Sequence, residues 1–268
     1  MFKLFTGRAA RLGAAAFVAL FALASCATAP ETGRQQFIMI DPAQEAQMGF
    51  QAFSQLKQKK PFITTGKDAE TVRRVGQRIA RVAPVPHAKW EFVLFKDDSP
   101  NAFALPGGKV GINSGILKIA KNEAGLATIM GHEVAHVVAR HGAERASQTM
   151  GLQVLGVIAD AALAQKAPGA RQGVMQAYGL GAQVGVLLPY SRIHELEADE
   201  LGILYMARAG YDPAEAVDFW QRFADYNRQR GGKPPEFLST HPLDERRIAQ
   251  LRAMLPRAQA EYAKASRS

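Results

Sequence analysis

Apolar residues recur along this chain with two periods, and the switches between them mark its elements. Asp41-Pro42, an N-cap followed by proline at the first helical position, opens a helix to about Lys59. A second begins near Asp68, where Val72, Val75, Ile79 and Val82 make one stripe, and stops before Pro84. From Trp90 to Phe95 and from Asn101 to Leu105 the pattern alternates and predicts strands. Pro106-Gly107-Gly108 then turns the chain into a returning strand over Lys109 to Asn113. Between Glu123 and Arg140 apolar residues cover most of a helical circumference, which predicts a helix buried on nearly all sides. Gly142 to Pro189 is rich in Ala, Gly and Val and reads as two helices, Leu152 to Ala164 and Gly173 to Leu188, broken at Lys166-Ala167-Pro168-Gly169. Gln153, Asp160, Gln176 and Gln183 interrupt them, and neither reaches the length of a membrane span. Asp212-Pro213-Ala214-Glu215 caps a helix that buries Val217, Trp220 and Phe223 or Ala224; after a loop at Gly231 to Pro235 a last helix ends near Leu255. The fold class is α+β, mainly helical, with a small antiparallel sheet beside the buried helix.

That buried helix carries polar groups. Asn122 caps its start, Glu123 suits the positive end of its dipole, and Arg140-His141-Gly142 supplies cations and a glycine stop. Inside it, Gly131-His132-Glu133-Val134-Ala135-His136 places two imidazoles four residues apart, one above the other, where they can close on one metal ion. Glu133 sits one residue round, beside the open position, as a base for an attacking water. Two satisfied core histidines with a paired Glu are the structural alternative. A third ligand comes from Tyr190 to Asp199, where four-residue spacing puts Glu195 and Asp199 on one face. Glu195 can bind the metal while Asp199 accepts a hydrogen bond from the far nitrogen of a ligand imidazole. Glu197 points elsewhere by the same geometry, and His194 reads as a neighbour. The donor set calls for one Zn2+ per chain.

Two further elements bear on the chemistry. Proline after His241 holds that residue extended at a loop-to-helix junction, where its ring can reach into a cleft; a helix-capping role is the alternative. Arg247, six residues on, can add charge at the same end, so that His241 or Arg247 would stabilise an oxyanion. Asn101, Ala102, Phe103 and Ala104, with Leu105, form the candidate edge strand for a substrate backbone, a plain hairpin being the alternative.

Before these elements, Lys3, Arg8 and Arg11 precede a short apolar stretch from Leu12 to Ala24, the form of a secretory signal over residues 1–25. Leu23-Ala24-Ser25-Cys26 resembles the lipobox of bacterial lipoproteins, and Cys26 is the only cysteine in the chain. It can form no internal disulfide, which fits lipidation of a new N-terminus. Ala27, rather than Asp, resembles the default for the outer membrane. The expected organisation is a signal at 1–25, a lipidated polar tether at 26–40 and one enzymatic domain at 41–268. Removing Lys3, Arg8 and Arg11 with the signal takes the formal charge from +9 to +6, and that excess is spread without aromatic interleaving, which argues against nucleic acid as a partner.

Gly-His-Glu-Val-Ala-His-Val-Val-Ala-Arg-His, Ser-Arg-x-x-Glu-x-Glu-Ala-Asp and Ser-Thr-His-Pro together resemble the gluzincin peptidase family that includes the CAAX prenyl endopeptidase and the HtpX-type quality-control proteases. The similarity runs from about Gly33 to Leu255, and it is greatest to the exported, outer-membrane-associated branch. It implies a zincin-type domain with His132, His136 and Glu195 as zinc ligands, Glu133 as base and Asp199 in support. It also implies a histidine at position 241 near zinc, in the open position at rest or beside the tetrahedral intermediate. The expectation is an endopeptidase acting on unfolded or misassembled envelope proteins, anchored in the outer membrane and facing the periplasm. The rival from another class is a lipid-anchored chaperone or assembly factor with a closed, inactive zinc site.

Overall fold

A computed structural model of the chain describes residues 26–230 and 234–267. The signal expected over 1–25 lies outside the described residues, as do positions 231–233 of the loop before Pro234. The first described element is a hairpin of β1 (Cys26–Thr28) and β2 (Gln35–Phe37), with Cys26 opposite Phe37. The stretch expected to be a tether is therefore ordered. Ala29 donates to the Arg34 carbonyl at 2.8 Å, Gly33 takes the positive φ of 72° that the turn requires, and the Ala29 and Gln36 side chains are buried.

Asp41 then caps α1 (Pro42–Lys59), its carboxylate accepting from the Ala43 amide at 2.8 Å. The strand β3 (Phe62–Ile63) and helix α2 (Lys67–Val82) lead to β4 (Glu91–Phe95), β5 (Ala102–Leu105) and β6 (Lys109–Asn113). The sheet order is β3-β4-β6-β5. β5 returns antiparallel to β6, as the Pro106-Gly107-Gly108 turn requires, but β4 lies parallel to β6, so the sheet is mixed. This order leaves β5 at an edge. The buried Val72, Val75 and Ile79 of α2 pack in one core with Phe92, Val110 and Ile112 of the sheet.

A short α3 (Leu117–Ala120) precedes α4 (Glu123–Val138), capped by Asn122. Next come α5 (His141–Lys166), α6 (Arg171–Ala182) and, through a π turn at Gln183–Leu187, α7 (Leu188–Arg208). The helix carrying Glu195 thus runs on from the apolar helix before it. α8 (Ala214–Arg230), α9 (Glu236–Thr240) and α10 (Glu245–Ala265) complete the fold. α10 outlasts its expected end near Leu255: it passes through Pro256, and Ala258 beyond that proline is fully buried. The apolar faces of α5 and α6 stay open, with Val154, Val157 and Leu180 exposed, as is Val184 in the π turn, yet no described helix is long and apolar enough to cross a membrane.

One close crossing sets the geometry of the molecule. A Cβ on Gly131 would stand 2.5 Å from the Gly202 carbonyl oxygen, and one on Gly202 would stand 2.8 Å from the His132 nitrogen. Only glycine at both positions lets α4 and α7 approach this far. The crossing lays the Glu195-to-Asp199 turn of α7 directly against His132 and His136 of α4.

Candidate metal centre

The three polar residues of α4 are enclosed: His132 and Glu133 are each 1% exposed and His136 is 9%. Around them Leu126, Ile129, Met130, Val134 and Val138 take the core positions. α4 ends before the glycine that was expected to stop it. Arg140 adopts the left-handed conformation at φ 52°, held by hydrogen bonds from its guanidinium to Glu45 and the Ile40 carbonyl, and Gly142 already belongs to α5. The reversal at Arg140 brings His141 back over the preceding turn, where its Nδ1 lies 2.8 Å from Nδ1 of His136.

Four potential ligand atoms converge. His132 Nε2 lies 3.1 Å from His136 Nε2, 3.2 Å from Glu195 Oε2 and 3.2 Å from His241 Nδ1. His136 Nε2 is 3.4 Å from Glu195 Oε1, and His241 Nδ1 is 3.1 Å from both Glu195 oxygens. Ligands about 2.0–2.1 Å from a tetrahedral zinc ion stand about 3.3 Å apart, so the residues present fit the metal that their chemistry implies. His241 comes from the junction between α9 and α10 and takes the fourth corner.

Each histidine of α4 has its outer nitrogen occupied. His132 Nδ1 lies 2.9 Å from Asp199 Oδ1, and since a carboxylate only accepts, this nitrogen carries a proton. Burial is outweighed by Asp199 and Glu195, which raise the His132 pKa to about 9, so Nε2 offers its lone pair when a metal displaces the second proton. Asp199 is gripped by Arg247, Nε to Oδ2 at 2.6 Å and Nη2 to Oδ1 at 2.8 Å. His136 Nδ1 meets His141 Nδ1, and His141 Nε2 meets Glu197 Oε2 at 2.9 Å. A neutral His141 has one donor and one acceptor, so it donates to Glu197 and accepts from His136. Burial, only partly opposed by Glu197, pushes the His141 pKa down to about 4 and keeps it neutral. Burial likewise drives His136 well below the usual histidine range. For Glu195 burial acts upward, but the surrounding His241, His136 and His132 outweigh it and hold the carboxyl well below its usual range.

Arg247 is displaced from the role expected of it. Its side chain is 2% exposed and its guanidinium lies 4.1 Å over the Trp220 ring, pairs with Asp199 and, at 3.2 Å, with Glu195 of the ligand set, and donates to the His241 and Pro242 carbonyls. It steadies Asp199 and Glu195 and is not among the residues that line the cleft beside Glu133. Glu197 points away from the ligand set and His194 is a neighbour rather than a ligand, as expected; what the sequence did not show is that they form a second buried layer with His141, Glu144 and Arg34. Their spacing along the helices does not announce them.

The cleft opens on the other side of the ligands. It has a volume of about 390 Å³ and is lined by Asn101, Ala102, Phe103 and Ala104 together with Glu133, His136 and His241. β5 therefore runs along it with its outer edge unpaired among the described residues. Glu133 Oε1 is buried without a hydrogen-bond partner and lies 3.5 Å from His241 Nε2, and Asn101 Oδ1 is likewise unpaired. A buried carboxylate oxygen without a donor is costly in a finished core and is what a site for water would leave.

The sequence model of Peptidase family M48 matches residues 66–255. The chain is 40% identical over 190 residues to the mitochondrial metalloendopeptidase OMA1 of Schizosaccharomyces pombe, covering 71% of this chain and 54% of that protein. Against OMA1 of Saccharomyces cerevisiae the identity is 40% over 185 residues, covering 65% and 49%. The beta-barrel assembly-enhancing protease of Escherichia coli is 32% identical over 231 residues, covering 85% and 47%. The chain spans about half the length of the curated relatives it matches.

Proposed function

The chain belongs to peptidase family M48, and on that premise we propose that it is a zinc-dependent endopeptidase acting on misfolded or misassembled cell-envelope proteins. The observation that carries the chemistry is the convergence of His132, His136, Glu195 and His241 beside a Glu133 oxygen that has no partner. A structural metal site has no use for a buried base at its open side.

When bound, zinc polarises the scissile carbonyl and acidifies a water. The chain does the rest. β5 adds the extended substrate backbone to its free edge, with Asn101 Oδ1 available to a substrate N–H. Glu133 accepts the proton of the attacking water and passes it to the leaving amine. Asp199, braced by Arg247, and His141, braced by Glu197, keep the two imidazoles of α4 aimed and in the correct tautomer. His241 in the fourth corner is the resting arrangement. When its ring turns out of the ligand set, Nε2, already on the Glu133 side, faces the developing oxyanion.

The Escherichia coli relative, named for assembly of β-barrels, supports envelope proteins as substrates; the OMA1 relatives are named as mitochondrial. Leu23-Ala24-Ser25-Cys26 supports a lipid anchor on Cys26 and a place at the outer membrane facing the periplasm. A second reading, a lipid-anchored assembly factor with a closed site, is favoured by one observation, the fourth corner filled by His241. The test is cleavage of an unfolded casein by the zinc-loaded chain, before and after chelation and zinc return. Loss and recovery of cleavage support the peptidase; no cleavage by the loaded chain or by His241→Ala supports the closed module.

A further inference from the structure

The second buried layer receives a cation from outside the peptidase helices. Arg34, directly before β2, donates from Nε to Glu197 Oε2 at 2.7 Å and from Nη1 and Nη2 to the two oxygens of Glu144 at 2.9 and 2.7 Å. Its hairpin neighbours reinforce both contacts. Thr32 donates to the other oxygen of Glu197, and Gln36 donates to Glu144 at 3.0 Å and to the Ala139 carbonyl at 2.5 Å. The acceptors sit on two different helices, Glu144 on α5 and Glu197 on α7, and both are buried. Each carboxylate in turn holds a histidine: Glu197 meets His141 at 2.9 Å and Glu144 meets His194 at 3.0 Å, with the two rings stacked 4.3 Å apart. His141 is the residue that accepts from the outer nitrogen of His136.

We propose that Arg34 is a positioning residue for the metal ligand His136, acting through Glu197 and His141, so that the hairpin directly after Cys26 is a working part of the metal centre. The inference rests on the metal-centre reading above. The physical argument is geometric. Each carboxylate oxygen accepts in two directions: at Glu197 Oε2 Arg34 takes one and the other faces His141, while Thr32 holds Oε1 and so fixes the plane of the group. Without the guanidinium, two buried carboxylates on α5 and α7 lose their shared counter-charge, and Glu197 is free to rotate away from His141. His136 then loses the acceptor that orients its ring. Outer partners of this kind are worth about 10- to 100-fold in metal affinity. Exchange of Arg34 for lysine keeps the charge but not the fork that spans Glu144 and Glu197.

The experiment measures zinc affinity by chelator competition, and the visible absorption of the cobalt(II)-loaded form, in the full chain carrying Arg34→Met, Arg34→Lys, Thr32→Val or Arg208→Met. Arg208 ties the same hairpin through Glu31 at 2.9 Å, and its other ion pair goes to Glu261, so it holds the hairpin without touching Glu144 or Glu197. The expected result is zinc affinity about 10- to 100-fold weaker in Arg34→Met with an altered cobalt spectrum, a smaller loss in Arg34→Lys and Thr32→Val, and parental behaviour in Arg208→Met. In a His141→Phe background Arg34→Met should add no further loss. Parental affinity and spectrum in Arg34→Met overturn the proposal, and so do equal losses in Arg34→Met and Arg208→Met. A parent chain that binds no zinc would instead remove the metal-centre reading itself.

Discussion

Nδ1 of His241 lies 3.1 Å from both carboxylate oxygens of Glu195, while Nε2 of the same ring lies 3.5 Å from Glu133. One imidazole thus closes the ligand set and faces the base at once. In the proposed mechanism that ring leaves Glu195, His132 and His136 before a peptide is hydrolysed, while its backbone stays anchored by a hydrogen bond from the His241 amide to the Phe237 carbonyl at 2.7 Å and by Arg247 Nη1 to the His241 carbonyl at 3.4 Å.

Replacing His241 by alanine therefore separates two effects. Three ligands remain, so zinc is retained at one ion per chain. If the ring's departure is what limits turnover, cleavage of an unfolded protein rises, and a rise of about tenfold would correspond to a closed state favoured by about 1.4 kcal/mol. If His241 is needed chiefly beside the oxyanion, cleavage falls with zinc unchanged. Metal content and initial rate, measured on the same preparation, distinguish these outcomes.

Arg247→Met is expected to act through the metal and the fold. It leaves Asp199 as an uncompensated buried carboxylate, a change that costs about 3–5 kcal/mol when one partner of a buried pair is removed. Thermal unfolding and zinc content should fall together. A variant that keeps both and loses only kcat would return Arg247 to the cleft.

The α4–α7 crossing gives a prediction without charge. Alanine at Gly202 places a methyl group 2.8 Å from the His132 nitrogen and 2.9 Å from the Gly131 carbonyl carbon, so the helices must part. Overpacking of this kind costs about 1–3 kcal/mol, a fall of several degrees in Tm, and because His132 sits at the contact, zinc affinity should weaken as well. Gly142→Ala, helical and with nothing near its position, should lower neither.

Glu144 supplies a pH dependence. Burial would raise its pKa, but His194 and Arg34 hold it down at about 2, against about 4.5 when the chain is unfolded. A carboxyl depressed by folding stabilises the protein above its unfolded value, and that contribution is lost as pH falls from about 5 towards 2. Stability measured by urea unfolding across that range should decline more steeply in the parent than in Glu144→Gln. Parallel declines would mean that Glu144 is not held as the geometry implies.

How much of this was legible in the sequence follows from the range of each interaction. His132, His136, Glu195 and Asp199 lie on regular helices, where four-residue spacing maps directly onto a face, and the structure brings them together. Asp41 and Asn122 cap as their residue types require. His141 was not legible, because five residues from His136 it would sit off the face; only the left-handed turn at Arg140 returns it, and an arginine does not advertise positive φ as glycine does. The hairpin at 26–37 was hidden for a related reason. A polar stretch with Pro30 and Gly33 looks like a tether until its partners, Glu144 and Glu197, are seen to lie more than a hundred residues away. Arg247 failed in the other direction: its position beside His241 was legible, but the side on which it lies depends on Trp220 and Asp199, which only the packing of α8 and α7 supplies.

The central claim is that Glu133 is the base of a zinc endopeptidase, and its most direct test compares the parent with Glu133→Gln, a change of one atom type that leaves the ligands untouched. Initial rates on an unfolded protein substrate are measured at matched zinc content. The account predicts a rate about a hundred- to ten-thousand-fold lower in the variant with zinc still bound at one ion per chain. Equal cleavage by the two proteins would contradict it.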